Sequence, residues 1–248
     1  MNTMDVHYAT HLGPIYAWML GDLGAALKRS SAELEEMGLA RPSPHGTALD
    51  LGAGLGLHGV ALAKRGFKVT AIDSCRVLLD EFRARAAGLP ITIIEADIRT
   101  FRTHVVSSCD VILCLGDTLT HLPTFDAVDA LLREVGAALA EGGLFAATFR
   151  DYASRTLEGS ERCIVVKRDA TRILTCFLEY GIDHVTVHDI LTQLEDQQWV
   201  QRVSSYPKLR LAPGWVLSKL NALGLEARQE TAPSGMVRIV ARKLSRRD

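Results

Sequence analysis

The chain has 248 residues, with 28 Lys and Arg against 29 Asp and Glu, and therefore a formal net charge of −1. That length fits one large domain, or one domain with a sizeable insertion, and the charge balance argues against a nucleic-acid-binding protein, which is typically basic. The hydrophobic share of 48% and the charged share of 23% exclude the disordered, collagen-like and coiled-coil classes.

The N-terminal segment carries apolar residues at helical spacing from Leu12 to Met37, which predicts one or two helices that end at the break Arg41–Gly46. Its most apolar part, Leu12–Leu27, contains Asp22 and is shorter than the roughly 18 apolar residues that cross a bilayer. No basic stretch precedes it. We therefore expect neither a signal peptide nor a membrane anchor, and a cytoplasmic protein.

Cysteine and histidine spacing bears on disulfides and metals. The five cysteines are an odd number without a C-x-x-C pair, which predicts neither a disulfide framework nor a zinc site. Cys109, Cys114 and Cys176 lie in apolar runs, where a free thiol packs as a small hydrophobe. His184 and His188 share one face of a predicted strand, but the sequence offers no further His pair or Cys cluster for a metal.

From residue 47 onwards short β-branched runs alternate with amphipathic segments. This pattern is typical of strand–helix units around a parallel sheet. The predicted helices are Gly56–Arg65, Arg76–Ala87 and Phe125–Ala140, and the predicted strands are Ala48–Leu51, Lys68–Asp73, Ile91–Ala96, Cys109–Leu115 and Gly143–Arg150.

After Asp151 the pattern changes to long, alternating, partly polar strands without helices between them, which predicts an antiparallel insertion. A helix then begins at Ala212, with Pro213 in its first turn, and stops at Gly224. A hairpin turn is expected at Glu195–Gln198. The predicted strands of this half are Arg162–Lys167, Arg172–Tyr180, His184–Thr192, Trp199–Tyr206, Glu226–Thr231 and Met236–Arg242.

The segment Leu49–Gly56 follows a buried strand and opens a helix, with glycines at every second position from Gly52. Such glycines permit a tight turn and a close approach of the backbone to a ligand. The loop by itself fits a dinucleotide, a nucleoside or a purely structural corner. The dinucleotide fingerprint places its third glycine three positions after the second, where Leu57 stands, so the spacing disfavours NAD.

Acidic residues end the next two strands. Asp73 lies about twenty residues after the loop, where a carboxylate can accept both hydroxyls of a ribose. Asp97 follows the third strand and could accept the amino group of an adenine. The alternative is that both are solvated strand ends. Three acidic strand ends beside a glycine loop, counting Asp50, favour a nucleoside-containing cofactor.

Residues 47 to 151 resemble the class I S-adenosylmethionine-dependent methyltransferases. Asp50–Gly56 matches the family's first motif, Ala71–Asp73 the second, Glu95–Asp97 the third, Cys109–Leu115 the fourth strand, and Glu141–Leu144 the turn before the fifth. The resemblance implies an α/β fold. It consists of a Rossmann-like, doubly wound, mixed seven-stranded sheet with helices on both faces, plus an antiparallel β insertion after strand 5.

The resemblance also implies S-adenosyl-L-methionine as the cofactor and assigns residues to its parts. The ribose would be held by Asp73, and the adenine by Asp97, flanked by Ser74 and Ile98. Leu115 and Gly116 would line the wall behind the methyl donor. The methionine moiety would be held by the loop residues Asp50, Gly52, Ala53, Gly54 and Gly56.

The stretch Gly116–Leu122 faces the sulfonium in this fold. It lacks the Asn/Asp-Pro-Pro-Tyr/Phe tetrapeptide of enzymes that methylate bases, so a nucleic-acid acceptor is not expected. It is similar to the same stretch of glycine N-methyltransferase and the amino-sugar N-methyltransferases, whose antiparallel insertion covers the acceptor pocket or builds a dimer interface. This implies methyl transfer to a nitrogen or oxygen of a small molecule by in-line displacement, and leaves a homodimer open.

Asp117 and His121 are the candidates for orienting or deprotonating the acceptor. Asp117 could instead cap the next helix, and His121 could be a histidine hydrogen-bonded to the backbone. Arg150 could hold an acceptor carboxylate or phosphate, or form a structural ion pair with Asp151 or another carboxylate. The remaining candidates for acceptor binding are aromatic, namely Tyr152, Tyr180 and Tyr206.

The segment Tyr8–Met19 resembles the helical lid of the same branch, and Tyr16 and Trp18 are its candidate cofactor contacts. The alternative is a helix that packs its aromatic residues on the core. We divide the chain into an N-terminal lid over 1–46, a cofactor-binding core over 47–151 and 211–248, and the insertion over 152–210. Two other functions stay open: a silent cofactor-binding or partner-binding module, and an NAD(P)-dependent oxidoreductase.

Overall fold

The computed structural model describes residues 3–39 and 46–245, so the predicted break at 41–46 lies outside the described residues except for Gly46. Within them, no helix is long and apolar enough to span a membrane. The helices are α1 Thr3–His7, α2 Tyr16–Leu20, α3 Leu23–Glu36, α4 Leu57–Lys64, α5 Arg76–Ala86, α6 Phe125–Ala138 and α7 Pro213–Ala222. The strands are β1 Thr47–Leu51, β2 Lys68–Asp73, β3 Ile91–Glu95, β4 Cys109–Cys114, β5 Leu139–Phe149, β6 Cys163–Arg168, β7 Arg172–Tyr180, β8 His184–Glu195, β9 Gln198–Leu209, β10 Leu225–Thr231 and β11 Val237–Lys243.

The main sheet has the strand order β3-β2-β1-β4-β5-β11-β10. Strands β1 to β5 are parallel, whereas β11 runs antiparallel to both β5 and β10. The mixed seven-stranded sheet predicted from the resemblance is confirmed. Strand order reverses between β1 and β4, and ligands of such sheets bind at this switch point, beyond the carboxyl ends of the strands.

Helices cover both faces of the main sheet because its central strands are apolar on both sides. On β5, Phe145 and Phe149 pack with α6 and α7, whereas Leu144 and Ala146 face the layer formed by α3, α4 and α5. All four side chains are almost fully buried. Burial of each large side chain of this kind contributes about 1.5–3 kcal/mol, so the two layers fix the strand ends that carry the site.

The insertion is a four-stranded antiparallel sheet in the order β6-β7-β8-β9. Strands β8 and β9 are longer than predicted, because their ladder continues to the pair Glu195 and Gln198. Between these two residues, Asp196 and Gln197 have positive φ angles of 46° and 65°. That is the conformation of a two-residue hairpin loop, and the hairpin turn predicted at Glu195–Gln198 is confirmed.

The junction between α6 and β5 and the N-terminal helical run differ from the prediction. Helix α6 stops at Ala138, and β5 begins at Leu139 instead of Gly143, because Leu139 already pairs with Cys109 ahead of an irregularity in the ladder. The N-terminal helical run begins at Thr3 and is more broken than predicted. Gly21 has a φ of +80°, and Asp22 then caps α3 by accepting a hydrogen bond from the Ala25 N–H at 2.6 Å.

Candidate active site

A cavity of about 1340 Å³ lies at the carboxyl ends of the central strands, between the main sheet, the N-terminal helices and the insertion. It is larger than the roughly 300–1,000 Å³ of a site for one small molecule. Four predicted site residues do not line it, namely Trp18, Asp50, Gly56 and Asp117. Those that do are Tyr16, Gly52, Ala53, Gly54, Asp73, Ser74, Asp97, Ile98, Leu115, Gly116, His121, Arg150, Tyr152, Tyr180 and Tyr206.

The glycine loop after β1 is shaped by close packing on two sides. A Cβ on Gly52 would lie 2.5 Å from the side chain of Thr118, in the turn after β4, and the φ of Gly52 is +74°. Gly56 has a φ of +76°, and a Cβ there would lie 2.1 Å from the ring of Phe82 on α5. The missing Cβ of Gly52 therefore lets the loop pack on the turn after β4 at the cavity, whereas Gly56 lies against α5 and does not line the cavity.

Asp73, at the end of β2, supports the loop and faces the cavity. Its Oδ2 accepts a hydrogen bond from the Gly54 N–H at 2.8 Å, and its Oδ1 accepts one from the Cys75 N–H at 2.7 Å. Burial raises the pKa of this carboxyl, and the two backbone hydrogen bonds oppose that rise. Two oxygens offer about four acceptor positions, so the carboxylate keeps capacity for ribose hydroxyls.

Asp97 lies at the rim of the same end of the cavity and is tied to Arg99. Its oxygens accept from the Arg99 Nε at 2.9 Å and from the Arg99 backbone N–H at 2.8 Å. Burial alone would raise its pKa, but the Arg99 guanidinium outweighs burial and lowers it. The side chain caps the short helix 98–103, so an adenine amino group would share this carboxylate with Arg99.

Asp50 lies beneath the loop, 3% exposed, with no hydrogen-bond partner for its Oδ2. Burial raises its pKa to about 6. A buried carboxyl oxygen without a partner is costly to the fold, and it provides negative charge behind the loop. The negative charge of Asp50 behind the loop and the backbone of Gly52 at the cavity surface are features that fit the ammonium-bearing end of S-adenosylmethionine.

Asp117 accepts hydrogen bonds from two cationic side chains, Lys208 and Arg150. Its Oδ2 accepts from the Lys208 ammonium at 2.5 Å and from the Arg150 guanidinium at 3.1 Å, and its Oδ1 accepts from the Arg150 N–H at 2.9 Å and from Thr120 Oγ1 at 3.0 Å. Burial alone would raise the pKa of Asp117, but Lys208 and Arg150 lower it to about 2. The predicted role in deprotonation therefore does not fit: the carboxylate is a poor base and lies behind the cavity surface.

His121 lines the cavity within an aromatic cluster. Its Nε2 lies 3.5 Å from the hydroxyl of Tyr8, and its ring stacks on Tyr206 with centroids 5.6 Å apart. Burial lowers the pKa of His121 to about 3, and the nearby Lys208 ammonium acts in the same direction. The imidazole is therefore neutral near pH 7. It can hydrogen-bond an acceptor but is a weak proton acceptor.

All five tyrosines of the chain line this cavity, and all are among the described residues. Trp18 was also predicted to contact the cofactor, but it does not line the cavity. Its indole Nε1 donates to the Asp169 carboxylate at 2.5 Å, and the Arg172 guanidinium lies 5.4 Å from its ring. Residues two apart on a helix do not share a face, so Tyr16 and Trp18 cannot both turn towards the cavity.

Sequence reasoning missed Lys208 and Tyr8. Lys208 is 5% exposed and lines the cavity from β9. It shares the inward alternation of Tyr206, two residues earlier, so the period of the strand could have indicated it. Tyr8 lies in the predicted lid segment, and its ring centroid is 6.3 Å from that of Tyr16.

The predicted histidine pair of the insertion is engaged in other contacts. His188 lies 3.0 Å from the Glu179 carboxylate and 2.7 Å from Ser205 Oγ, and His184 lies 3.4 Å from the Pro123 carbonyl oxygen. In the described part of the chain, no three His, Cys, Asp or Glu side chains are grouped so that they could hold a metal ion.

Comparisons with known proteins find sequence similarity over parts of the chain. Residues 48–143 match the family model described as a methyltransferase domain. A glycine/sarcosine N-methyltransferase of Parasynechococcus marenigrum is 33% identical over 115 residues, which are 46% of this chain and 40% of that protein. A cypemycin N-terminal methyltransferase of a Streptomyces species is 30% identical over 161 residues, which are 59% of this chain and 65% of that protein. The chain thus spans less than two thirds of the length of either relative.

A solved structure extends the likeness over most of the chain. An S-adenosylmethionine-bound amino pentose methyltransferase from Micromonospora echinaspora aligns with a TM-score of 0.73 at 19% identity, covering 87% of this chain and 90% of that one. At this identity the likeness concerns the fold. Residues 48–143 are therefore similar to a methyltransferase domain, and the chain as a whole shares the fold of this solved structure.

Proposed function

We propose that the chain is an S-adenosylmethionine-dependent methyltransferase that transfers a methyl group to a nitrogen of a small-molecule acceptor. The observation that carries this proposal is the single cavity that joins the glycine loop and Asp73 at one end to His121, Arg150 and the tyrosines at the other. Bound S-adenosylmethionine supplies an electrophilic methyl group. Direct displacement needs mainly alignment and exclusion of water, and alignment alone can lower a barrier by about 7–11 kcal/mol.

Nitrogen is favoured over oxygen because the site lacks a strong base where the acceptor would lie. With a pKa of about 3, His121 accepts a proton weakly, and the carboxylate of Asp117 is neutralised by two cations. A hydroxyl acceptor needs a base to remove its proton during transfer. A neutral amine attacks with its lone pair and can release its proton afterwards. The relatives named as glycine/sarcosine and cypemycin N-terminal methyltransferases support the same choice.

An anionic group on the acceptor would bind Arg150. Two cations, Arg150 and Lys208, share the one carboxylate of Asp117, which leaves one excess positive charge. Lys208 is 6% exposed in its side chain, whereas Arg150 is 56% exposed and lines the cavity. The guanidinium is therefore the cation that can receive a carboxylate or phosphate.

The N-terminal segment and the insertion complete the cavity wall in this proposal. Tyr8 and Tyr16 cover it from the N-terminal helices, and Tyr180 and Tyr206 from the insertion. The free state of the cysteines described in the structure fits a reducing compartment, which supports a cytoplasmic enzyme.

On the outer face of the insertion, Trp199 is 53% exposed, and we propose that this face pairs two copies. Light scattering should then give twice the chain mass of 27.1 kDa.

The test is a calorimetric titration with S-adenosylmethionine and S-adenosylhomocysteine, run beside NAD and NADH on one preparation. Saturable binding of the first pair alone supports the proposal. Binding of NADH alone would move the protein to the oxidoreductases. A protein that binds S-adenosylmethionine but forms no S-adenosylhomocysteine with any amine would be a silent binding module, the second candidate that the glycine loop and Asp73 allow.

A further inference from the structure

The cavity has an apolar wall beyond its tyrosines. This wall belongs mainly to the inner face of the insertion, and its side chains carry no group that could take part in methyl transfer. Its members lie on β6, β7 and β8 and on the segment before them. The apolar wall consists of Leu157, Ile164, Val166, Leu174, Leu178 and Val187.

The wall is partly uncovered where it reaches β6, the edge strand of the insertion. Ile164 is 41% exposed and Val166 is 42% exposed, and both line the cavity. Val165 between them is 60% exposed but does not line the cavity, as expected from the alternation of a strand. Deeper in the wall, Leu174 and Leu178 are buried. Two branched apolar side chains thus present surface to the cavity that the protein itself does not cover.

A small polar acceptor would leave this surface in contact with water. An amine with one carboxylate, such as glycine, would contact His121 through its amine and Arg150 through its carboxylate, and would not need to contact the apolar wall. The cavity volume of about 1340 Å³ exceeds what a cofactor and a molecule of that size require, judged by the roughly 300–1,000 Å³ of a single-ligand site. Apolar surface continuous with a reactive site is typical of a pocket for an apolar ligand group.

We propose that the acceptor carries its amine on an aliphatic or aromatic body that lies along the apolar wall and reaches Ile164 and Val166. The inference rests on the proposed function and specifies its substrate class. The amine would lie beside His121, an anionic group at Arg150, and the apolar body across β7 towards β6. Each methylene covered by the wall should strengthen binding about threefold to fourfold, the fold-change that corresponds to about 0.8 kcal/mol.

The test uses the α-amino acids glycine, alanine, 2-aminobutyrate, norvaline and norleucine, which keep the amine and carboxylate and lengthen the apolar chain. Each is titrated calorimetrically into the protein saturated with S-adenosylhomocysteine. We expect the affinity to rise with every methylene. A flat or falling series, or no saturable binding by any member, overturns the inference. The proposed function is judged separately, by binding of S-adenosylmethionine to the same preparation.

Two variants of β6 form a matched pair for the same series. Ile164→Asp places a charge on the apolar wall and should abolish the rise with chain length. Val165→Asp makes the same change one residue away on the outer face, and should keep both the rise and the affinity for S-adenosylmethionine. Circular dichroism shows that each variant is folded. Equal series from the two variants would overturn the placement of the acceptor body.

Discussion

Asp50 shows what a single buried carboxyl costs the fold. Burial raises its pKa from 3.8 to about 6, so the native protein holds a proton that the unfolded chain releases between these values. Stability therefore falls as the pH rises from about 4 to about 6, and the loss then stays constant at about 3 kcal/mol. A residue kept at that cost beneath the glycine loop is expected to serve ligand binding.

Asp50→Asn should be more stable than the parent above pH 6 and should lose this advantage as the pH falls to 4. The measurement is the thermal midpoint of both proteins across that range, together with calorimetric affinity for S-adenosylmethionine, which should fall in the variant. A difference in thermal midpoint that does not change with pH would contradict the raised pKa of Asp50.

Asp73→Ala removes the carboxylate that faces the cavity at the end of β2. Loss of hydrogen bonds to two ribose hydroxyls should weaken S-adenosylmethionine binding by at least about 1.5 kcal/mol, about tenfold or more. Asp80→Ala, on the exposed side of α5, where Asp80 pairs with Arg83, is the control. Unchanged affinity in folded Asp73→Ala protein would remove Asp73 from the site.

At the scale of elements, one buried ion pair joins the insertion to the main sheet. Lys208 on β9 and Asp117 in the turn after β4 are 91 residues apart in sequence, and both side chains are almost fully buried. Without Lys208, the Asp117 carboxylate would keep the half-exposed Arg150 guanidinium as its cationic partner. The Lys208 contact therefore couples the insertion to the turn after β4.

Lys208→Met should lower the free energy of unfolding by about 2 kcal/mol, because Asp117 loses one of its two cationic partners, and should raise the pKa of Asp117. Since that pKa lies near 2 in the native state, the parent loses the stabilisation only as the pH falls from about 4 to 2. The variant should lose less over that range in denaturant titrations at several pH values. Lys219→Met breaks a more exposed pair with Asp129 and should cost less than about 1 kcal/mol.

Helix α5 restricts which residue the glycine loop can carry at position 56, because the Phe82 ring packs against Gly56. Gly56→Ala should cost about 3 kcal/mol or more, because the new Cβ meets the Phe82 ring and the φ of +76° strains an alanine. Gly88→Ala has the same backbone strain, with a φ of +77°, but no atom within 4 Å of the new Cβ. Equal losses in urea unfolding would show that Phe82 is not the cause.

Across the whole molecule, sequence reasoning predicted the features whose signal lies within a few residues and missed those that depend on distant residues. The glycine loop, the acidic end of β2 and the hairpin at Glu195–Gln198 are patterns within a few residues, and each lies where it was expected. The start of β5 was missed because Leu139 joins the sheet through a pairing with Cys109, thirty residues earlier. The role of Asp117 was missed because its partner Lys208 lies on a distant strand.

The distribution of aromatic residues gives the protein a built-in optical probe. Every tyrosine lines the cavity, whereas the seven Phe and three Trp, all of them described, do not. A ligand that enters the cavity changes the surroundings of the phenol chromophores while the indoles stay in theirs. Difference absorbance of the unlabelled chain should therefore follow occupancy of this site directly, and chemical nitration of its phenols should be slowed only by ligands bound there.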